Sequence, residues 1–218
     1  MGARPQLAQP YLVIVDFDGT AHELDLLDAV CSRHAPAQTE EAEAALVAGE
    51  ISLNECIRRE FEPIRADHDE IVGECLTRGS LRQGFERFVA RAGAAGHRVV
   101  IVSSGFHAII RPILEQAGLG DLEVFANDVR FSPQGTQVSF RDGELCERCG
   151  ERCKRPLVRS LNGGGPVVYI GDGWSDRCAS AAADRRFARH SLATYLDREG
   201  LDYTRFDDFD EIARELLC

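Results

Sequence analysis

The chain has 218 residues, 44% hydrophobic and 28% charged, with 36 acidic against 25 basic side chains and a net charge of −11. That length supports one domain carrying a sizeable insertion, or a large and a small domain, and the composition is that of a globular protein rather than a disordered or repetitive one. The acidic excess leaves no surplus of cations to displace counterions, which argues against binding nucleic acid or anionic membranes; an anionic substrate must be captured locally.

At the amino terminus, Met1-Gly2-Ala3-Arg4-Pro5-Gln6 carries no secretion signal, and the apolar run from Tyr11 to Val15 is too short for a signal-peptide core or a membrane span. A cytoplasmic location is expected. The eight cysteines are therefore expected as reduced thiols or metal ligands, not as a disulfide framework.

Leu12-Val13-Ile14-Val15, ending at Asp16, is the first of three short apolar runs that stop abruptly at a polar group. Unbroken runs of this kind fit strands buried on both faces of a parallel sheet. About eighty residues separate the first run from the second, far more than one crossover helix needs. Within them, helical patterns at Glu40 to Val47 and Leu53 to Phe61, with breaks near Pro36, Gly49 and Pro63, predict a small helical cap over residues 23–77. The α/β core is then residues 1–22 and 78–218. A helix is expected over Leu81 to Val89, followed by the second run, Val99 to Val102, ending at Ser103. Next come a helix over Ala108 to Leu114 and a hairpin pattern at Val129-Arg130-Phe131 and Gln137-Val138-Ser139-Phe140. The third run, Val167 to Gly171, ends at Asp172, and the tail from Phe187 alternates short strand-like and helical segments. The fold class is α/β, a doubly wound, Rossmann-like parallel sheet with an inserted helical cap.

In such sheets ligands bind at the carboxyl ends of the strands, where Asp16, Ser103 and Asp172 are expected to converge. A lone Asp after an apolar run reads as a strand-end cap. Here, however, Asp16-Phe17-Asp18 places two carboxylates on one side of a chain expected to continue extended, and Asp172-Gly173-Trp174-Ser175-Asp176 adds a second pair. Carboxylates crowded this way raise each other's pKa unless a cation sits among them, and hard oxygen donors suit Mg²⁺.

Asp16-Phe17-Asp18-Gly19-Thr20, then Ser103, Lys154 and the Gly171-Asp172-x-x-x-Asp176 pair resemble, in order, the four motifs of the haloacid dehalogenase-like phosphatases. The resemblance implies Asp16 as nucleophile and metal ligand, forming an aspartyl-phosphate that water then hydrolyses. Asp18 would be the acid and base, with its carbonyl on Mg²⁺. Asp172 would ligate the metal, with Asp176 as a further ligand or supporting one. Ser103 and Lys154 would hold phosphoryl oxygens, helped by Thr20 and the backbone around Ser104 and Gly105.

The cap's position between the first two motifs resembles the branch that includes the phosphoserine phosphatases. Val102-Ser103-Ser104-Gly105-Phe106, the Cys146-to-Lys154 segment and Phe187-Ala188-Arg189 are similar to the methylthiopentenyl-phosphate phosphatases of methionine salvage. The Cys-Lys segment with Gly171-Asp172-Gly173-x-x-Asp176-x-Cys178 also resembles phosphoethanolamine/phosphocholine phosphatases, but Ser104 stands where the choline-phosphate enzymes carry an acid. Asp25, nine positions after Asp16, matches an acidic position of the phosphoserine and methionine-salvage enzymes and implies a substrate amine or hydroxyl near the cap. His22 and Glu23 depart from the family's small or apolar residues and have no assigned role.

The expected partner is a small phosphate ester, a methylthiopentenyl phosphate or phosphoserine, bound by a monomer or homodimer. A phosphate-binding or phospho-acceptor module without turnover is the alternative. Cys146, Cys149 and Cys153 read first as reduced thiols packed beside Lys154, second as ligands of a structural Zn²⁺, with Cys178 a candidate fourth if the fold brings it near, and last as a redox switch. The scattered histidines His34, His68, His97, His107 and His190 read as surface or helix-end residues, and Trp174 first as a helix-start packing residue, with a substrate platform the open alternative.

Overall fold

The structure, a computed structural model, describes residues 9–217. The amino-terminal hexapeptide and Cys218 lie outside the described residues. The sheet has seven strands in the order β4-β3-β2-β1-β5-β6-β7. They are β1 (Leu12–Val15), β2 (Arg98–Phe106), β3 (Glu123–Arg130), β4 (Gln137–Ser139), β5 (Val167–Gly171), β6 (Arg185–Ala188) and β7 (Thr204–Arg205). All neighbours pair in parallel except β4, which adds to β3 as an antiparallel edge and forms the expected hairpin.

The apolar runs form strands because both faces are covered. Val13, Val15, Ile101, Val168 and Ile170 point into one buried cluster, while Leu12, Ile14, Val100, Val102, Val167 and Tyr169 point into the other. That is the period-two alternation of a pleated strand, hidden from the sequence because both faces are apolar. Helices α5 (Phe85–Ala94), α6 (His107–Gln116), α7 (Lys154–Leu161), α8 (Arg177–Ser180), α9 (His190–Glu199) and α10 (Phe209–Leu216) connect and cover the strands.

The expected helix over Leu81 to Val89 begins only at Phe85. Leu81 instead pairs with His22, and Gly84, at φ 83°, takes a left-handed conformation that separates the bridge from α5.

Between β1 and α5 lie α1 (Leu26–His34), α2 (Pro36–Val47), α3 (Leu53–Phe61) and α4 (His68–Thr77). Asp25 caps α1 by accepting the Asp28 amide at 3.0 Å, Pro36 opens α2, and Ser52 caps α3 by accepting the Glu55 amide at 3.1 Å. These helices share one continuous core with the sheet: Val30, Ile57, Phe61, Ile64 and Ile71 pack in the cluster that holds Val13 and Ile101. Phe61 meets Phe106, at the end of β2, edge-on at 4.8 Å. Chain entry and exit run side by side, with the Glu23 amide donating to the Ser80 carbonyl at 3.0 Å and the Arg82 amide to the Ala21 carbonyl at 2.7 Å.

His22 and Glu23 belong to this crossing. The His22 ring is buried, stacks on Phe17 at 5.9 Å and lies 3.2 Å from the Leu24 amide. No helix among the described residues is long and apolar enough to cross a membrane.

Candidate active site

The switch point of the sheet lies between β1 and β5, where successive connections leave in opposite directions. Register sets Val15 beside both Ile101 and Ile170, so Asp16, Ser103 and Asp172 emerge at one edge.

After Asp16 the chain does not continue extended as expected. Residues 17–21 form a tight turn closed by the Ala21 amide on the Asp16 carbonyl at 3.1 Å and the His22 amide on the Phe17 carbonyl at 2.8 Å. The reversal turns on Gly19, at φ 69°, where a Cβ would lie 2.5 Å from Asp172 Oδ2. The carboxylates of Asp16 and Asp18 therefore meet different partners. Asp16 accepts from Lys154 Nζ at 2.6 Å and from the Phe17 amide at 2.7 Å. Asp18 accepts from the Leu26 amide at 3.1 Å and lies 3.5 Å from the Ser103 hydroxyl.

Lys154 is 1% exposed, and its ammonium also donates to Asp176 at 2.7 Å. Asp176 is saturated: Oδ1 also accepts the Tyr169 hydroxyl at 2.7 Å, and Oδ2 accepts the amides of Asp172 and Gly173, each at 3.0 Å. Asp172 accepts the buried Thr20 hydroxyl at 2.7 Å. The Gly105 amide donates to Ser103 Oγ at 2.8 Å, and the Ser104 carbonyl accepts from Asn127 at 2.7 Å. Asp25 serves α1 as its cap.

Charge is unevenly compensated here. Asp16, Asp172 and Asp176 each offer an oxygen, all within 4.8 Å of one another, around one ammonium. Burial pushes the Asp16 carboxyl up, and Asp176 and Asp172 add to that against the pull of Lys154. Burial and Asp176 carry Asp172 to about 6. Burial and the nearby Asp25 carry Asp18 to about 8. For Asp176 burial again opposes ionisation, but Lys154 and the other donors hold it below the ordinary carboxylate range, and burial is likewise outweighed at Lys154, which Asp16 and Asp176 hold above its ordinary value. A hard divalent cation fits this donor set: it would relieve the repulsion between Asp16 and Asp172, the two carboxylates that keep oxygens for it, whereas those of Asp176 are already engaged.

Several contributing residues carry no signal in the sequence. The buried guanidinium of Arg82 donates to the Gly19 and Thr20 carbonyls, each at 2.7 Å, and so fastens the turn that carries Asp18. Tyr169 has a faint signal as the one polar-tipped side chain in its apolar run. A cavity of about 590 Å³ reaches the site at Lys154 and Ser104, though Asp16, Asp18, Asp172 and Asp176 are not among its lining residues; Leu46, Ile51 and Leu53 of the α2–α3 region and Arg141 also line it. The Nε of Arg141 is buried there without a hydrogen-bond partner among the described residues. Trp174 starts a short 3₁₀ turn as expected, but it is 47% exposed, lies under the Arg177 guanidinium at 3.1 Å and borders the cavity.

The model of the haloacid dehalogenase-like hydrolase family matches residues 13–181. Over 208 residues, 94% of each chain, the sequence is 28% identical to a 2-hydroxy-3-keto-5-methylthiopentenyl-1-phosphate phosphatase of Bacillus thuringiensis. In fold it resembles a phosphoserine phosphatase from T. onnurineus, with a TM-score of 0.68 at 20% identity, covering 98% of both chains. It also resembles a phosphoserine phosphatase determined as a phospho-aspartyl intermediate analogue, with a TM-score of 0.71 at 19% identity, covering 95% of this chain and 99% of that one.

Proposed function

The chain belongs to the haloacid dehalogenase-like hydrolase family, and from that premise we propose that it is a Mg²⁺-dependent phosphatase acting on a small phosphomonoester through a phosphorylated Asp16. The observation that carries this reading is the Asp16 carboxylate, set at the switch point of the sheet, bonded to Lys154 at 2.6 Å and crowded by Asp172.

Asp16, Asp172 and the Asp18 carbonyl would hold Mg²⁺, which supplies positive charge against the phosphoryl oxygens and the carboxylates when bound. Asp176, whose oxygens are already taken, holds Lys154 and the Asp172 turn in place. Asp16 attacks phosphorus, and the alcohol leaves with a proton from Asp18. A carboxyl raised to about 8 is protonated near neutrality and suited to that donation. Asp18 then accepts a proton from the water that displaces the phosphoryl group from Asp16. Lys154 and the Ser103 hydroxyl neutralise and orient the phosphoryl oxygens throughout.

For the substrate, the cavity supports an ester with both an apolar portion and oxygen-bearing groups: Leu46, Ile51 and Leu53 suit the first, and Arg141 with Ser104 the second. A methylthiopentenyl phosphate has that character, in keeping with the Bacillus relative's name. Phosphoserine, charged at both ends of a short chain, leaves the apolar wall unused.

The test is phosphate release from a panel of metabolite phosphomonoesters, with Mg²⁺ and with excess chelator. Release that needs Mg²⁺ and is fastest with a methylthio-substituted ester supports the reading; the absence of release from every ester overturns it in favour of a phosphate-binding module without turnover.

A further inference from the structure

Four cysteines on two separate segments come together beside the carboxylate site. Cys146, Cys149 and Cys153 lie on the connection between β4 and α7, and Cys178 lies on α8. Their sulfur atoms all lie within 4.8 Å of one another, and none is in a disulfide. Tetrahedral thiolates about 2.3 Å from a zinc ion stand about 3.8 Å apart, so a cluster of this span closes round one ion with small side-chain adjustments.

The setting is not that of ordinary buried thiols. Cys31, Cys56 and Cys75 sit in the interior, whereas Cys149 is exposed and Cys153 and Cys178 are half-buried. Apolar burial therefore does not account for the gathering. The connection also has little apolar packing to hold its shape. From residue 141 to 153 it has no helix or strand, Cys146 is its one buried residue, and Leu145 is 63% exposed. Its backbone nevertheless coils tightly, with the Cys146 amide on the Glu151 carbonyl at 2.7 Å and the Gly150 amide on the Cys146 carbonyl at 2.8 Å. The surface ion pairs that Arg148 and Glu147 make to α9 and α7 are individually worth little.

We infer that Cys146, Cys149, Cys153 and Cys178 form a tetrathiolate site for one thiophilic divalent cation, Zn²⁺ being the fit for four sulfur ligands in tetrahedral array. The ion ties two segments that the active site also joins. Cys153 immediately precedes Lys154, Cys178 follows Asp176 by two residues, and Lys154 donates to Asp176 at 2.7 Å. Cys149, Cys153 and Cys178 also line the cavity, so the site fixes part of its wall. This inference does not depend on the phosphatase reading, and its tests need no turnover.

The full chain, produced with zinc in the medium, is expected to hold one zinc per molecule by elemental mass spectrometry. Replacing it with Co²⁺ is expected to give the intense visible bands and sulfur charge-transfer absorption of a tetrahedral thiolate centre. Those signals distinguish this site from the weak spectrum of Co²⁺ among carboxylates. Cys149→Ser, at the exposed ligand, is expected to weaken zinc retention at least tenfold while the protein stays folded. A zinc-selective chelator, with Mg²⁺ kept in excess, is expected to speed amide hydrogen exchange in residues 141–153 and 172–180 together. A folded protein without bound zinc and with all four thiols free, or with these cysteines in disulfides, would overturn the inference. So would a carboxylate-type cobalt spectrum alone.

Discussion

Lys154 brings two kinds of energetics into one contact. It is a buried cation with two carboxylate partners, Asp16 at 2.6 Å and Asp176 at 2.7 Å. Removing one member of a buried ion cluster leaves uncompensated charge behind, at a cost of about 3–5 kcal/mol. Lys154→Met is therefore expected to lower stability by that order in Mg²⁺-free urea unfolding and to abolish phosphate release. A variant as stable as wild type would show that the ammonium does not neutralise this pair. Gly19 is constrained from two sides, by its φ of 69° and by Asp172 Oδ2, which a Cβ would approach to 2.5 Å. Backbone strain in such a conformation costs about 1–3 kcal/mol. Gly19→Ala is accordingly expected to cost at least that much stability and to displace Asp172, seen as a raised Mg²⁺ requirement for turnover. An unchanged Mg²⁺ dependence would contradict the packing described. Asp16, Asp18, Ser103, Lys154 and the acidic pair could be singled out from sequence because each ends an apolar run or falls in a motif. Arg82 and Arg141 could not, since what matters about them is a partner or a cavity supplied by distant parts of the chain.

At the scale of elements, α3 carries a buried acid. Glu60 is buried, and burial pushes its carboxyl up to about 7; Cys56 Sγ, donating at 3.4 Å, opposes this, and Glu43, Asp25 and Asp28 add to it. A folded-state value above the ordinary 4.5 means that the folded chain holds the proton more tightly than the unfolded one. The associated stabilisation is complete below about 4.5 and is lost as pH rises to about 7, a swing of about 3 kcal/mol at most. Glu60→Gln is expected to flatten the wild-type decline in stability across that interval, measured by urea unfolding at a series of pH values. An equal decline in the variant would place the titrating group elsewhere. Elements were legible where periodicity and breakers agreed: the pattern Leu53 to Phe61 coincides with α3. The start of α5 was not, because local apolar spacing cannot reveal that Leu81 pairs with His22 across the whole insertion. Nor could the continuation of β1 past Asp16 be judged without knowing that the chain must reverse there to enter α1.

Across the whole molecule, the parallel sheet sets the ends of β1, β2 and β5 side by side, and the α2–α3 region closes a cavity over that edge. The doubly wound architecture was readable because strands buried on both faces leave unbroken apolar runs. What the inserted helices contribute was not, since their residues join the core under the sheet and line the cavity, and neither follows from their amphipathic pattern. Arg141, unsatisfied at Nε and facing this space, is expected to contact the substrate away from phosphorus. Arg141→Gln should raise KM for the preferred ester about tenfold or more, corresponding to a lost charged hydrogen bond, while kcat changes little. A loss confined to kcat would move Arg141 into the phosphoryl-transfer step instead. The central claim is that Asp16 is the covalent nucleophile, and Asp16→Asn tests it most directly. With the preferred ester and saturating Mg²⁺, the variant is expected to lose phosphate release by about 10⁴-fold or more while still unfolding cooperatively. A folded variant that releases phosphate within tenfold of the wild-type rate would contradict it.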